Sequence, residues 1–157
     1  MKINHILTFI ICIAIPLVIG GISGFATSAG ISTWYADLNK PVFNPPNYLF
    51  GPVWTGLYIL MGVSLFLVWK SPSSDARNTA LLIFGIQLLL NFAWSFIFFY
   101  FHQVGWALVE ILLVWLSILI MIFVFQNLNK TAAYIQIPYL IWVSFATVLN
   151  AAIWRLN

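Results

Sequence analysis

Charge is what this sequence has least of: three acidic and six basic residues stand in 157, a net charge of +3. That balance gives no electrostatic footprint for nucleic acid. Cysteine occurs once, at Cys12, which excludes an intramolecular disulfide, and His5 and His102 are the only histidines, so the usual donors do not make up a zinc or haem ligand set. No nucleophile, base and orienting group are spaced as a catalytic triad, and the chain has neither an internal repeat nor a low-complexity tract. What remains is apolar: 63% hydrophobic residues, eight tryptophans and a mean hydropathy of +1.03. That is too little polar material to solvate a globule of this length, so the natural solvent is lipid.

The few charges, at Lys2, Asp37, Lys40, Lys70, Asp75, Arg77, Glu110, Lys130 and Arg155, punctuate uncharged stretches long enough for the roughly 20 residues of a spanning helix. The pattern predicts an all-α membrane protein, one domain over 1–157, with five helices at Ile6 to Thr27, Pro52 to Trp69, Thr79 to Tyr100, Gly105 to Gln126 and Ala133 to Trp154. The first run is longer than the core of a cleaved signal peptide, which favours reading it as a span. With an odd number of spans, Lys2, Lys70, Arg77 and Lys130 share one side and Lys40 and Arg155 the other, which predicts a cytoplasmic N-terminus. Trp69-Lys70 and Trp154-Arg155 place an indole and a cation where a helix leaves the bilayer. Pro52 opens the second helix, whereas Pro16 and Pro138 fall inside apolar runs as candidate kinks. Gly20 and Gly24 form a GxxxG pair that permits close helix contact.

One connection is long. Ala29 to Phe50 carries Trp34, Tyr35, Pro41, Phe43, Pro45 and Pro46, so it reads as a semi-rigid lid over one end of the bundle or as a segment anchored in the headgroups. Helical spacing puts Trp54, Tyr58, Met61 and Leu65 on one face of the second helix and Gln87, Asn91, Trp94 and Phe98 on one face of the third. The fifth presents Tyr139, Trp142, Ala146 and Asn150. Amides without partners in hydrocarbon cost on the order of several kcal/mol, which turns Gln87, Asn91 and Asn150 inward together with the rings beside them. Spacing alone leaves two readings open: interhelical hydrogen bonding with packed rings, or a pocket for a planar aromatic ligand. Trp106, Trp115 and Trp154 are assigned to packing or the interfacial belt.

A series of motifs spans nearly the whole chain: Trp34-Tyr35 with Leu38, Lys40-Pro41, Phe43 and Pro45-Pro46; Pro52-Val53-Trp54-Thr55 with Leu57-Tyr58 and Met61-Gly62; Gln87, Leu90-Asn91, Ala93-Trp94 and Phe98-Phe99; Gly105-Trp106-Ala107-Leu108-Val109-Glu110; and Pro138-Tyr139-Leu140, Trp142, Phe145-Ala146-Thr147, Leu149-Asn150 and Trp154-Arg155. In these the sequence resembles the translocator protein family, also called tryptophan-rich sensory proteins or peripheral benzodiazepine receptors. The resemblance implies a five-helix bundle in a bacterial cell membrane that binds porphyrins and isoquinoline- or benzodiazepine-type drugs in a pocket closed by the first loop. It assigns ligand contacts to Tyr35, Pro45, Trp54, Tyr58, Gln87, Asn91, Trp94, Trp142 and Ala146, with no covalent cofactor and no metal. Resemblance to bacterial members further implies light-dependent oxidative breakdown of protoporphyrin, with Trp54 and Trp142 as participants. It also implies a homodimer, although helix three around Gly85 carries no GxxxG pair. Mitochondrial relatives bind cholesterol through a motif with tyrosine after the Leu-Asn pair; Ala151 stands there in this chain, so a sterol is not the expected ligand.

Transport of lipids, sterols or tetrapyrroles is the alternative to a receptor, and an inert structural subunit is a third. Glu110, inside the fourth helix, needs a partner because a lone carboxylate at mid-membrane costs roughly 2.5–3.5 kcal/mol. Arg155 is the cation nearest in depth, and a structural ion pair between them is expected ahead of the alternative, a proton relay.

Overall fold

In the computed structural model, which describes residues 4–157, five helices are long and apolar enough to cross a membrane, and no strand occurs among the described residues. Lys2, counted above for orientation, lies outside them. The first helix, α1 (His5–Ile31), opens on Asn4, whose side chain accepts from the Ile6 N–H at 3.2 Å. It runs one turn past the expected end at Thr27, because the hydroxyls of Thr27 and Ser28 bond back to the carbonyls of Ser23 and Phe25 and do not interrupt the helix.

A short helix, α2 (Trp34–Asp37), and a 3₁₀ turn (Asn47–Leu49) lie within the first connection, leading into α3 (Phe50–Trp69). Pro52 sits in the first turn of α3, where its missing N–H costs no bond. Ser74 caps α4 (Asp75–Ser95) by accepting from the Arg77 N–H, and Asp75 favours the positive end of the helix dipole. The helix then widens into a π turn, Phe96–Tyr100, closed by the Phe101 N–H donating to the Phe96 carbonyl at 2.8 Å. His102 ends it in the left-handed region at φ 57 and stacks on Trp34, 4.3 Å between centroids.

After α5 (Val104–Gln126) the chain departs from expectation. The single helix foreseen from Ala133 to Trp154 is two, α6 (Lys130–Tyr134) and α7 (Ile137–Leu156), and Pro138 is not an internal kink but part of the first turn of α7. Pro138 offers no N–H to the Tyr134 carbonyl four residues back, so the hydrogen-bond ladder is interrupted there. Reciprocal hydrogen bonds between Asn39 and Asn157 (2.9 and 3.0 Å), with the Trp34–His102 stack, bring the first loop, the α4–α5 connection and the C-terminus to one end.

The ion pair expected between Glu110 and Arg155 does not form. Both Glu110 oxygens are buried without a hydrogen-bond partner, facing Ile97 and Phe101 along a shallow apolar depression, while Arg155 is exposed on the last turn of α7. Glu110 stands six residues into α5, about 9 Å from its start at 1.5 Å per residue, whereas Arg155 stands one residue from the end of α7, so the two side chains differ in depth and do not meet.

Helix α1 is fastened at two heights. Towards its N-terminal half, Gly62 of α3 comes so close that an added Cβ would stand 2.6 Å from the Ile13 Cα and 2.8 Å from the Cys12 carbonyl oxygen. Pro16 has no N–H to offer that carbonyl, so the close approach occurs where the α1 ladder is already open. Near its C-terminal end, Gly30 abuts the backbone of Phe99 in the π turn, with a Cβ position 2.6 Å from the Phe99 carbonyl oxygen. Gly62→Ala is therefore expected to destabilise the purified protein by roughly 1–3 kcal/mol of overpacking, read as a lower melting temperature. Gly24→Ala, whose Cβ meets nothing within 4 Å, is the control and should melt no lower than the parent, since alanine is the better helix former.

Candidate functional site

Between the two fastenings of α1 lies a cavity of about 420 Å³, within the range of small-molecule sites. Its walls come from every spanning helix except α5: Gly20 and Ser28 of α1, Trp54 and Tyr58 of α3, Trp94 and Phe98 of α4 and its π turn, and Trp142 and Ala146 of α7, with Tyr35 of α2 at the loop end. Trp54 stacks on Tyr58 (5.6 Å, 28°) and stands edge-on to Tyr139; Trp94 stacks on Phe98 (5.4 Å, 29°). Gly20 is required, because a Cβ there would overlap the Tyr58 ring.

Hydrocarbon explains the floor. Tyr58 Oη donates to Asn91 Oδ1 at 2.7 Å, Asn91 Nδ2 donates to Tyr139 Oη at 2.9 Å, and Tyr139 Oη donates to Gln87 Oε1 at 2.9 Å. Each amide finds the partner that lipid cannot supply, and α3, α4 and α7 are bound in one chain of donors. Asn150 works the same way at the wall, accepting from Trp94 Nε1 at 3.2 Å and donating to the Val104 carbonyl at 2.9 Å. Trp142 Nε1 and Gln136 Oε1, like the Glu110 carboxyl, are buried without a partner. Among the described residues no three His, Cys, Asp or Glu side chains come together, so the walls offer stacking faces and hydrogen bonds, not metal ligands.

The loop end is held by its own bonds. Lys40 Nζ donates to the carbonyls of Tyr35, Ala36 and Leu38 at 2.8–2.9 Å, and Tyr35 Oη donates to Asn44 Oδ1 at 2.6 Å. Burial pushes the Tyr35 phenol up to about 12, so it remains a protonated donor across the physiological range.

Of the residues singled out in the sequence, Tyr35, Trp54, Tyr58, Trp94, Trp142 and Ala146 meet around one cavity. Gln87 and Asn91 do not line it; they lie behind Tyr58, their polar atoms spent on Tyr139 and Tyr58. Pro45 does not line it either, since the loop turns back on itself through Asn44, whose Nδ2 donates to the Pro45 carbonyl. Trp115 is a packing residue, donating to Ser144 Oγ at 2.8 Å, and Trp106 and Trp154 face outward. Sequence reasoning missed the share of α1: Gly20, Gly21, Gly24, Thr27 and Ser28 all line the cavity. The signal is present as a run of small residues on a bulky helix, in which the Gly20–Gly24 pair points first to helix contact.

A family model described as TspO/MBR family matches residues 12–155. The tryptophan-rich protein TspO of Chlorobaculum tepidum is 40% identical over 158 residues, covering 98% of each chain. The protein of the same name from Archaeoglobus fulgidus is 40% identical over 154 residues, 98% of this chain and 99% of its own. The human translocator protein is 41% identical over 126 residues, 79% of this chain and 75% of its own.

The floor generates a stability prediction. Tyr139→Phe removes one hydroxyl and strands both Asn91 Nδ2 and Gln87 Oε1 in an apolar interior, an expected loss of roughly 1–3 kcal/mol. Asn91→Leu in that background should cost less than the two single losses summed, because one partner then leaves with the other. Thermal unfolding of the two single variants and the double variant measures this.

Proposed function

This chain belongs to the TspO/MBR family, and on that premise we propose that it is a membrane receptor for a flat aromatic ligand of the tetrapyrrole class, protoporphyrin foremost. The observation that carries the proposal is the cavity bounded by Trp54, Trp94, Trp142 and Tyr58. Indole and phenol faces stack on a planar macrocycle. Isoquinoline- and benzodiazepine-type drugs share that chemistry, a flat ring system. In this reading the first loop caps the aqueous end, with Tyr35 as its contact. The excess of Lys70, Arg77 and Lys130 over Lys40 and Arg155 favours a cytoplasmic N-terminus, which turns the cap to the other side of the membrane.

A receptor is favoured over a carrier because the cavity has a closed floor. Beyond the Tyr58–Asn91–Tyr139–Gln87 chain, Met61, Val68, Ile118, Met121 and Phe125 are fully buried in one apolar cluster, so passage to the far side requires the bundle to repack. A second reading, light-driven oxidative breakdown of the bound porphyrin, is supported by Trp54 and Trp142 lining the same cavity, since the indole is the readily oxidised side chain.

Binding is tested by quenching of tryptophan fluorescence on titration with protoporphyrin. Trp54→Ala and Trp142→Ala are each expected to weaken binding about tenfold, and the Phe variants, which keep a stacking face, to stay within about threefold of the parent. A parent protein that does not bind overturns the receptor reading. Under illumination, the double Phe variant should bind and leave the porphyrin intact; breakdown that persists in it makes the two tryptophans walls and nothing more.

A further inference from the structure

The cavity is sealed on three sides and open on the fourth. Its linings from α4, the π turn and α7 are buried or half-buried, whereas Gly21, Gly24 and Ser28 of α1 and Asn47, Gly51 and Thr55 facing them are exposed. The two fastenings of α1 account for this. Below, Gly62 and Gly20 let α1 close onto α3; above, Gly30 draws the end of α1 onto Phe99, away from the start of α3. Between them a Cβ on Gly21, Gly24, Gly51 or Gly56 would meet nothing within 4 Å. Gly24 and Gly21 lie about 10 and 15 Å below the Ile31 end of α1, and Thr55 about 8 Å below the Phe50 end of α3, at 1.5 Å per residue. A hydrocarbon core of about 30 Å places that opening within one leaflet.

We propose that this gap is a lateral window, through which the ligand passes between the bilayer and the cavity without crossing the capped aqueous end. The inference rests on the receptor reading above and adds its route and the class of ligand it selects: molecules that first dissolve in lipid. The aqueous route is obstructed by bonds already described, Lys40 to three carbonyls, Tyr35 to Asn44 and Asn39 to Asn157. No bond of that kind joins Gly21 or Gly24 to α3 among the described residues. Glycine at the rim leaves bare backbone where a side chain would stand in the gap, and Thr55 folds its hydroxyl back to the Gly51 carbonyl at 2.9 Å, out of the way.

Filling the rim tests the window without touching the stacking walls. Phe25→Trp, exposed on α1 beside Gly21 and Gly24 but outside the cavity lining, narrows the mouth from α1, and Ile59→Trp, exposed one turn below Thr55 and likewise outside the lining, narrows it independently from α3. In liposomes, with protoporphyrin as the probe and stopped-flow quenching as the readout, both variants should slow association and release together, each by about tenfold, with the equilibrium affinity held within about threefold. A gate changes both rates; a binding wall changes their ratio. Unchanged rates in both variants overturn the window, and so does a loss of affinity carried by faster release or by failure to bind, because the rim is then part of the wall. A parent protein that does not bind protoporphyrin refutes the receptor reading instead, and the two failures are told apart by the parent titration alone.

Discussion

A polar group in hydrocarbon has no water to fall back on, and the interior of this protein is arranged around that constraint. Gln87, Asn91, Tyr58 and Tyr139 satisfy one another in a single chain of hydrogen bonds, and in doing so fix the rotation of α3, α4 and α7 about their axes. Once those rotations are set, Trp54, Trp94 and Trp142 have to face the same space. Apolar packing between helices could not have done this alone, because lipid tails satisfy a leucine as well as a neighbouring helix does.

Small residues complement the polar chain. Glycine at Gly20, Gly30 and Gly62 sets how near α1 comes to its neighbours, and so decides where the bundle is tight and where it is slack. The aromatic cavity occupies the slack part. Glu110 stands outside this scheme: its carboxyl is buried beside α4 with nothing to bond, and nothing else described in the fold depends on it.

The five spans were legible because nine charges in 157 residues leave few places for a helix to end. The inward faces were legible because amides must turn inward, and Trp54, Tyr58, Trp94, Trp142 and Ala146 share faces with them by helical spacing. Spacing does not report depth along a side chain, which is why Gln87 and Asn91 could be placed at the site but not behind it. Nor does it compare depths on two helices, which is why Arg155 was matched to Glu110. The break before α7 was written in Pro138, yet the surrounding run is so apolar that hydropathy passes over it. The contribution of α1 stayed hidden for the opposite reason: glycine has no side chain to declare a face.

The π turn after α4 carries a last consequence. Phe98 and Phe99 are neighbours in sequence and both are buried, one against Trp94 in stacked geometry and the other edge-on to it, with Tyr35 tilted over both. Adjacent residues on an ordinary helix diverge in direction, and the widened turn is what brings both rings indoors. What the chain must preserve here is a count: a related sequence can exchange one ring for another, but one that drops a residue between Phe96 and Tyr100 loses a wall.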